Sequence, residues 1–143
     1  MSLKIIHTAD WHLGQTFFGY DRDEEHEAFL SWLIDILTLR QTDVLLIAGD
    51  VFDVANPSAA AQRRFFRFLR EANRHNPQLQ IVIIAGNHDS AARLEAPIPL
   101  LEELNTSIVG VVPRTDLCKI DFDSLLIPLY NKEGKREAIC LAV

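Results

Sequence analysis

Cysteine is scarce in this sequence, and long apolar runs are missing. Its two cysteines, Cys118 and Cys140, stand in unrelated settings without C-x-x-C spacing. That excludes a zinc knuckle and a disulfide framework and makes a reducing, cytoplasmic setting the simplest reading. No apolar run approaches the roughly 18 residues that mark a membrane helix. The N-terminus passes after Lys4 into strand pattern rather than into a signal-peptide core, so no membrane is expected as a partner. An excess of positive charge is lacking too. With 14 Lys and Arg against 20 Asp and Glu the net charge is −6. This excludes a broad basic surface for sequence-independent binding of nucleic acid, but not a nucleic acid brought in by metal ions or a partner. No repeat of fixed length and no low-complexity linker divides the 143 residues, of which 48% are apolar. One buried core in a single domain is expected.

What the sequence does contain is one construction used three times. The runs Ile5-Ile6-His7-Thr8-Ala9, Val44-Leu45-Leu46-Ile47-Ala48 and Ile81-Val82-Ile83-Ile84-Ala85 break, respectively, into Asp10-Trp11-His12, Gly49-Asp50-Val51-Phe52-Asp53 and Gly86-Asn87-His88-Asp89. Such runs read as buried parallel strands, with glycine where the chain turns off. Polar residues there face the crevice at the carboxyl edge where open α/β sheets hold ligands. In an extended stretch side chains two apart share a face, so Asp10 and His12 would grip one ion. Alone, a D-x-H tripeptide is equally a surface loop, and His7 reads as a strand histidine.

Between these runs the periodicity is helical. Asp21-x-x-Glu24 looks like a capping box, followed by Phe29, Leu30, Leu33, Ile34 and Leu37 at helical spacing, which predicts a helix over about 22–40. Its acidic start (Asp21, Asp23, Glu24, Glu25) suits the positive end of a helix dipole, and His26 falls on the solvated side. The preceding loop, 15–20, carries Phe17, Phe18 and Tyr20, open either to walling a substrate or to tucking beneath the helix. Asn56-Pro57 reads as a cap with proline at the first helical position, starting a second helix over 57–74. Its core positions are Phe65, Phe66, Phe68, Leu69 and Ala72, while Arg63, Arg64, Arg67 and Arg70 read as a solvated face. Ser90 caps a third helix over about 92–104 with an irregular first turn at Pro97 and Pro99. A fourth strand follows over Ile108 to Val112. Beyond it come short alternating segments, Leu117 to Phe122, Leu125 to Leu129 and Ala138 to Val143, with a turn at 131–135. The fold class is α/β: a mainly parallel sheet flanked by helices with a small antiparallel addition.

Singly, each polar loop could be structural. Together, Asp10, His12, Asp50, Asn87 and His88 offer hard oxygen and borderline nitrogen donors, a mixture suited to Mn²⁺, Fe or Zn²⁺ rather than Ca²⁺. Asp50, between the other two loops, could bridge two ions, which would clamp the oxygens of a phosphoryl transfer and lower the pKa of a bound water.

Asp10-x-His12, Gly49-Asp50-x-x-Asp53 and Gly86-Asn87-His88-Asp89, in this order at strand ends, resemble the first three motifs of the calcineurin-like metallophosphoesterases. More narrowly, the stretches from His7 to Gln15, Ala48 to Asp53 and Ala85 to Ser90 resemble the SbcD-type nuclease components of bacterial SbcCD complexes. The match runs from about Lys4 to Val112. The resemblance implies that Asp10 and His12 hold the first metal, Asp50 bridges and Asn87 binds the second. It also implies that His88 stabilises the transition state or protonates the leaving oxygen, that Asp89 orients it, and that Asp53 supports the second loop or approaches substrate. The implied cofactors are two divalent ions, Mn²⁺ favoured over Mg²⁺, Fe or Zn²⁺. The implied reaction is hydrolysis of DNA phosphodiesters, as exonuclease or endonuclease, in double-strand-break or hairpin processing during DNA repair and recombination. The implied partners are DNA, an SbcC-like ATPase and a second copy paired through the helices over 57–74 and 92–104.

The family completes its site with later histidine motifs, and this sequence has no histidine after His88. The 143 residues therefore read as the N-terminal portion of such a domain, the first half of a four-layer αββα sandwich. The later metal-ligand motifs, the DNA-capping segment and the ATPase-binding tail are absent from it. Two other readings stand beside the nuclease: a phosphoesterase acting on small phosphoesters, and a non-catalytic module acting through dimer contacts.

Overall fold

Apolar runs without alternation need burial on both faces, and the chain meets this need with a parallel sheet. The computed structural model describes residues 2–115 and 119–143. Strand β1 (Ile5–Thr8) leads into a small hairpin of β2 (Thr16–Phe17) and β3 (Tyr20–Asp21), and then into helix α1 (Asp23–Leu39). Strand β4 (Val44–Ala48), helix α2 (Ala59–His75) and strand β5 (Gln80–Ile84) follow. Short helices α3 (Ala91–Glu95) and α4 (Ile98–Leu101) lead to β6 (Thr106–Val109), and the chain ends in β7 (Leu126–Tyr130) and β8 (Arg136–Leu141).

The main sheet has the order β1-β4-β5-β6, parallel throughout, with Ile47 level with Ile83 and Ile83 level with Ile108. Each new strand joins at the same edge, and right-handed crossovers then stack every helix on one face. Side-chain alternation sorts the core accordingly. Leu45, Ile47, Ile81, Ile83 and Ile108 pack with Leu30, Leu33 and Leu37 of α1 and Phe65, Phe68 and Leu69 of α2. Val44, Leu46, Val82, Ile84 and Val109 point the other way, onto Ile127, Leu129 and Ala142 of the C-terminal hairpin. Helices, parallel sheet and hairpin form three layers, which bears out the α/β expectation. Among the described residues no helix is long and apolar enough to cross a membrane.

Several boundaries differ from the sequence reading, each for a local reason. No capping box forms on α1: its N-cap is Arg22, and the Asp21 carboxylate accepts from the Asp23 amide instead. Helix α2 is capped by Ser58, whose Oγ accepts from the Ala61 N–H at 3.1 Å, two residues after Asn56. The third helix is broken into α3, α4 and a 3₁₀ turn, because prolines at 97 and 99 interrupt the hydrogen-bond ladder. The fourth strand spans Thr106–Val109 rather than Ile108 to Val112. It stops where Glu95 Oε1 captures the amides of Gly110 (2.7 Å) and Val111 (3.1 Å). Cys118 and the start of the predicted segment Leu117 to Phe122 lie outside the described residues. Its end carries only a bridge between Arg114 and Ile120.

Two polar residues expected in solvent are buried. His26 is 6% exposed and Arg64 8%. The cause is the docking of α2 on the first turns of α1: Arg64 reaches Asp23 and Glu27, each at 2.8 Å, and Arg67 also pairs with Glu27. Asp23, His26 and Glu27 share one helical face, so covering the two acids covers the histidine. The aromatic loop does not tuck beneath α1, since Phe17, Phe18 and Tyr20 are 65%, 87% and 78% exposed.

Candidate metal centre

Three loops leave the carboxyl ends of β1, β4 and β5, and main-chain bonds fasten them together. The N–H groups of Asp10, His12 and Leu13 donate to the carbonyls of Gly49, Asp50 and Val51 at 3.1, 2.9 and 2.9 Å, and Gly49 N–H donates to Ile84 O. These bonds force Asp10 and His12 out of the extended conformation that the spacing predicts. Their φ values are 55° and 47°, and that of Asp50 is 48°. Left-handed backbone is costly for residues other than glycine and persists where the surrounding structure over-determines it. Among the described residues, half of the six non-glycine residues with positive φ are candidate ligands, so the strain is concentrated at this edge.

Trp11 shows how the first loop is held. Its indole is buried among Phe29, Phe65 and Phe68 with edge-to-face centroid distances of 5.6, 6.2 and 5.1 Å, and its N–H donates to Thr8 Oγ1. Trp11 and Leu13 thus point into the helix-side core while Asp10 and His12 point out. The third loop is pinned by Asp89. Its carboxylate accepts from the amides of Gly86 (2.9 Å), Val51 (3.1 Å) and Phe52 (2.9 Å). Asp50 Oδ1 accepts from the His88 amide at 2.9 Å. Gly86 lies so close that a Cβ there would meet Asp50 Oδ1 at 2.1 Å, so only glycine lets the two loops approach.

The result is two overlapping donor groups, Asp10–His12–Asp50 and His12–Asp53–His88. His12 Nε2 is 4.0 Å from Asp10 Oδ1 and 3.8 Å from Asp50 Oδ2. These gaps are too wide for hydrogen bonds yet shorter than twice the ~2.1 Å of a metal–nitrogen or metal–oxygen bond. The first group therefore fits a divalent ion, and several carboxylates crowded at one edge favour a cation there. His12 Nδ1 is buried without a hydrogen bond, although Asp53 Oδ1 lies 3.2 Å away. With the Asp53 carboxylate on the Nδ1 side of the ring, Nε2 is the nitrogen turned toward Asp10 and Asp50 and the one that could ligate an ion there.

His88 is exposed, and its Nδ1 is 2.8 Å from the Asp53 carbonyl. That backbone contact, reinforced by the carboxylates of Asp50, Asp53 and Asp89, holds the imidazole above its ordinary pKa. The expected orienting group, Asp89, is engaged with the amides instead, and the His88 ring rests on Asp53. Asn87 is exposed on the same loop, and among the described residues its side-chain amide forms no hydrogen bond. The double engagement of Asp53, side chain toward His12 and carbonyl toward His88, is not evident from spacing. The only trace of it in the sequence is the second acid of Gly49-Asp50-x-x-Asp53.

Comparison with known proteins agrees with this geometry. Residues 3–136 match the family model described as calcineurin-like phosphoesterase. The chain is 49% identical over 141 residues to the SbcD component of the SbcCD nuclease of Rhodobacter capsulatus, covering 99% of this chain and 35% of that protein. It is 38% identical over 133 residues to the same component in Escherichia coli K12, with 84% and 33% covered. It is 39% identical over 122 residues to that of Bacillus subtilis, with 85% and 31% covered. The chain spans about a third of the length of these curated relatives. Matched over nearly all its residues, with the motif side chains converging at one sheet edge, the chain belongs to the calcineurin-like phosphoesterase family.

Proposed function

We propose that this chain is the metal-binding N-terminal portion of a DNA phosphodiesterase, a nuclease of the SbcD kind. The observation that carries the reading is the donor group Asp10–His12–Asp50 at the edge where the three motif loops meet. In this reading Asp10 and His12 hold one divalent ion, Asp50 bridges, and Asn87 contributes to a second, with Mn²⁺ the favoured metal. Such ions supply a lowered pKa for bound water and charge neutralisation at the phosphodiester oxygens. Asp53 sets its carboxylate beside Nδ1 of His12 and its carbonyl beside Nδ1 of His88. With Nδ1 on that carbonyl, the Nε2 edge of His88 is the one left to meet the leaving oxygen, and in the imidazolium form it would donate a proton there. Asp89 keeps the second and third loops in register. The substrate is DNA at double-strand breaks or hairpins, the partner an SbcC-like ATPase, and a second copy pairs through α2 and the α3–α4 segment. Because no histidine follows His88, the later family ligands are not in these residues, and cleavage by this chain alone is weak.

Calorimetric titration with Mn²⁺, with duplex cleavage assayed in parallel, tests the reading on the chain and its Asp50→Ala variant. Binding lost on substitution, with little cleavage, supports it. Absence of specific Mn²⁺ binding by the unsubstituted chain would overturn it.

A further inference from the structure

The hairpin β2–β3 is unexplained by the fold. Its turn, Phe18-Gly19, has φ values of 49° and 82°, the paired left-handed conformation of the tightest hairpins. Glycine adopts it freely, but phenylalanine does so at a cost. Phe17, Phe18 and Tyr20 join neither core cluster, so the chain spends strain and apolar surface on displaying three aromatic rings. The root of the hairpin is tied to the first metal loop: Gln15 N–H donates to His12 O at 3.0 Å, and Arg22 donates to Gln15 Oε1 at 2.8 Å. Phe17 follows His12 by five residues, a span of chain that reaches at most about 18 Å.

Between the hairpin and the start of α1 is an open pocket of about 570 Å³ lined by Phe17, Phe18, Tyr20, Asp21, Arg22 and Glu25. The rings offer flat apolar faces, with Phe17 and Phe18 edge to face at 4.6 Å. Arg22 is paired with Glu25, which among the described residues leaves Asp21 as the one lining carboxylate without a cationic partner, its Oδ1 accepting from the Asp23 amide. A lone carboxylate holds no phosphate and can accept a hydrogen bond from an exocyclic amine. Stacking faces beside a single acceptor match a nucleobase rather than a phosphate backbone.

Resting on the phosphodiesterase reading, we infer that this pocket takes one unpaired base of the strand whose phosphodiester lies at the metal centre. The contact places a frayed or single-stranded end, not an intact duplex, beside the donor groups. The bases stack on the rings while the phosphates pass on the side of the ions.

The test is fluorescence anisotropy with a short oligodeoxyadenylate and an abasic strand of equal length, on the full chain and on Phe18→Ala, Tyr20→Ala and Phe18→Trp. Mn²⁺ titration of the same proteins runs alongside. The expected result is binding of the base-bearing strand roughly tenfold tighter than the abasic one. That advantage is lost in both alanine variants and restored in Phe18→Trp, with Mn²⁺ binding unchanged. Equal affinity for the two strands, or a base preference that survives both alanine substitutions, would overturn the inference. So would tighter binding of tetramethylammonium than of the oligonucleotide, which would make the pocket a cage for organic cations. Absence of Mn²⁺ binding in the unsubstituted protein, with base binding intact, would sink the metal reading and leave the pocket standing.

Discussion

On one side of the parallel sheet, Leu45, Ile47, Ile81 and Ile83 lie beneath two 17-residue helices and a cluster of aromatic rings. On the other, Val44 and Val82 pack against Leu3 and a two-stranded hairpin whose outward Leu126, Ile139 and Leu141 stay 43–55% exposed. The apolar residues that anchor the first two motif loops belong to the first side: Trp11, Leu13, Val51 and Phe52 are in the helix-side cluster, and Asp89 ties the third loop to the amides of Val51 and Phe52. Metal-loop geometry is thus set by the helix layer. The hairpin layer adds stability without touching the donor groups.

Paired truncations put this contrast at risk. Trp11→Ala removes the ring that three phenylalanines surround and should cost about 3–5 kcal/mol in urea unfolding, and Mn²⁺ affinity should fall with it. Leu129→Ala, on the hairpin side, should cost about 2 kcal/mol, because a thin layer collapses more readily, and leave Mn²⁺ affinity unchanged. Equal effects on metal binding would erase the distinction between the faces.

Arg64→Met sharpens the comparison within the helix layer. It removes two ion pairs to half-exposed carboxylates but also an Nη1 that is buried without a partner. The loss should be about 1–2 kcal/mol, below that of Trp11→Ala, since exposed carboxylates recover water. A loss as large as that of Trp11→Ala would show that the α1–α2 contact, not the aromatic cluster, holds the layer.

The smallest effect is on pH dependence. Burial first, then Arg22 and Arg64, hold His26 below its ordinary value of 6.5. Below that pH the unfolded imidazole takes a proton that the folded one refuses, so the unfolded state binds more protons and stability is lost as the pH is lowered. The loss ends once the lowered folded pKa is passed. His26→Gln should flatten this component in urea unfolding compared at about pH 7.5 and about pH 5.5. An unchanged slope would mean that His26 is not the group responsible.

Runs of one periodicity were legible in the sequence because burial on both faces or on one stripe leaves a direct residue pattern. The three strand-end loops carrying Asp10, His12, Asp50, Asp53 and His88 follow from that pattern. The burial of His26 and Arg64 was not legible. It depends on α2 bringing a guanidinium to acids on another helix, a pairing that helix-local spacing cannot encode. Nor were the left-handed ligand positions, which arise from main-chain bonds between loops whose partners lie some 40 residues apart. The end of β6 at Glu95 and the shift of the α2 cap to Ser58 belong to the same class, with one polar side chain outcompeting the apolar trend.

Asp53 spans two imidazoles whose ring centroids are 5.0 Å apart. One residue therefore stands behind two imidazoles that come from different strand-end loops, its carboxylate beside one and its carbonyl beside the other. A shift of the second loop thus reaches both rings at once, although each ring belongs to a different loop.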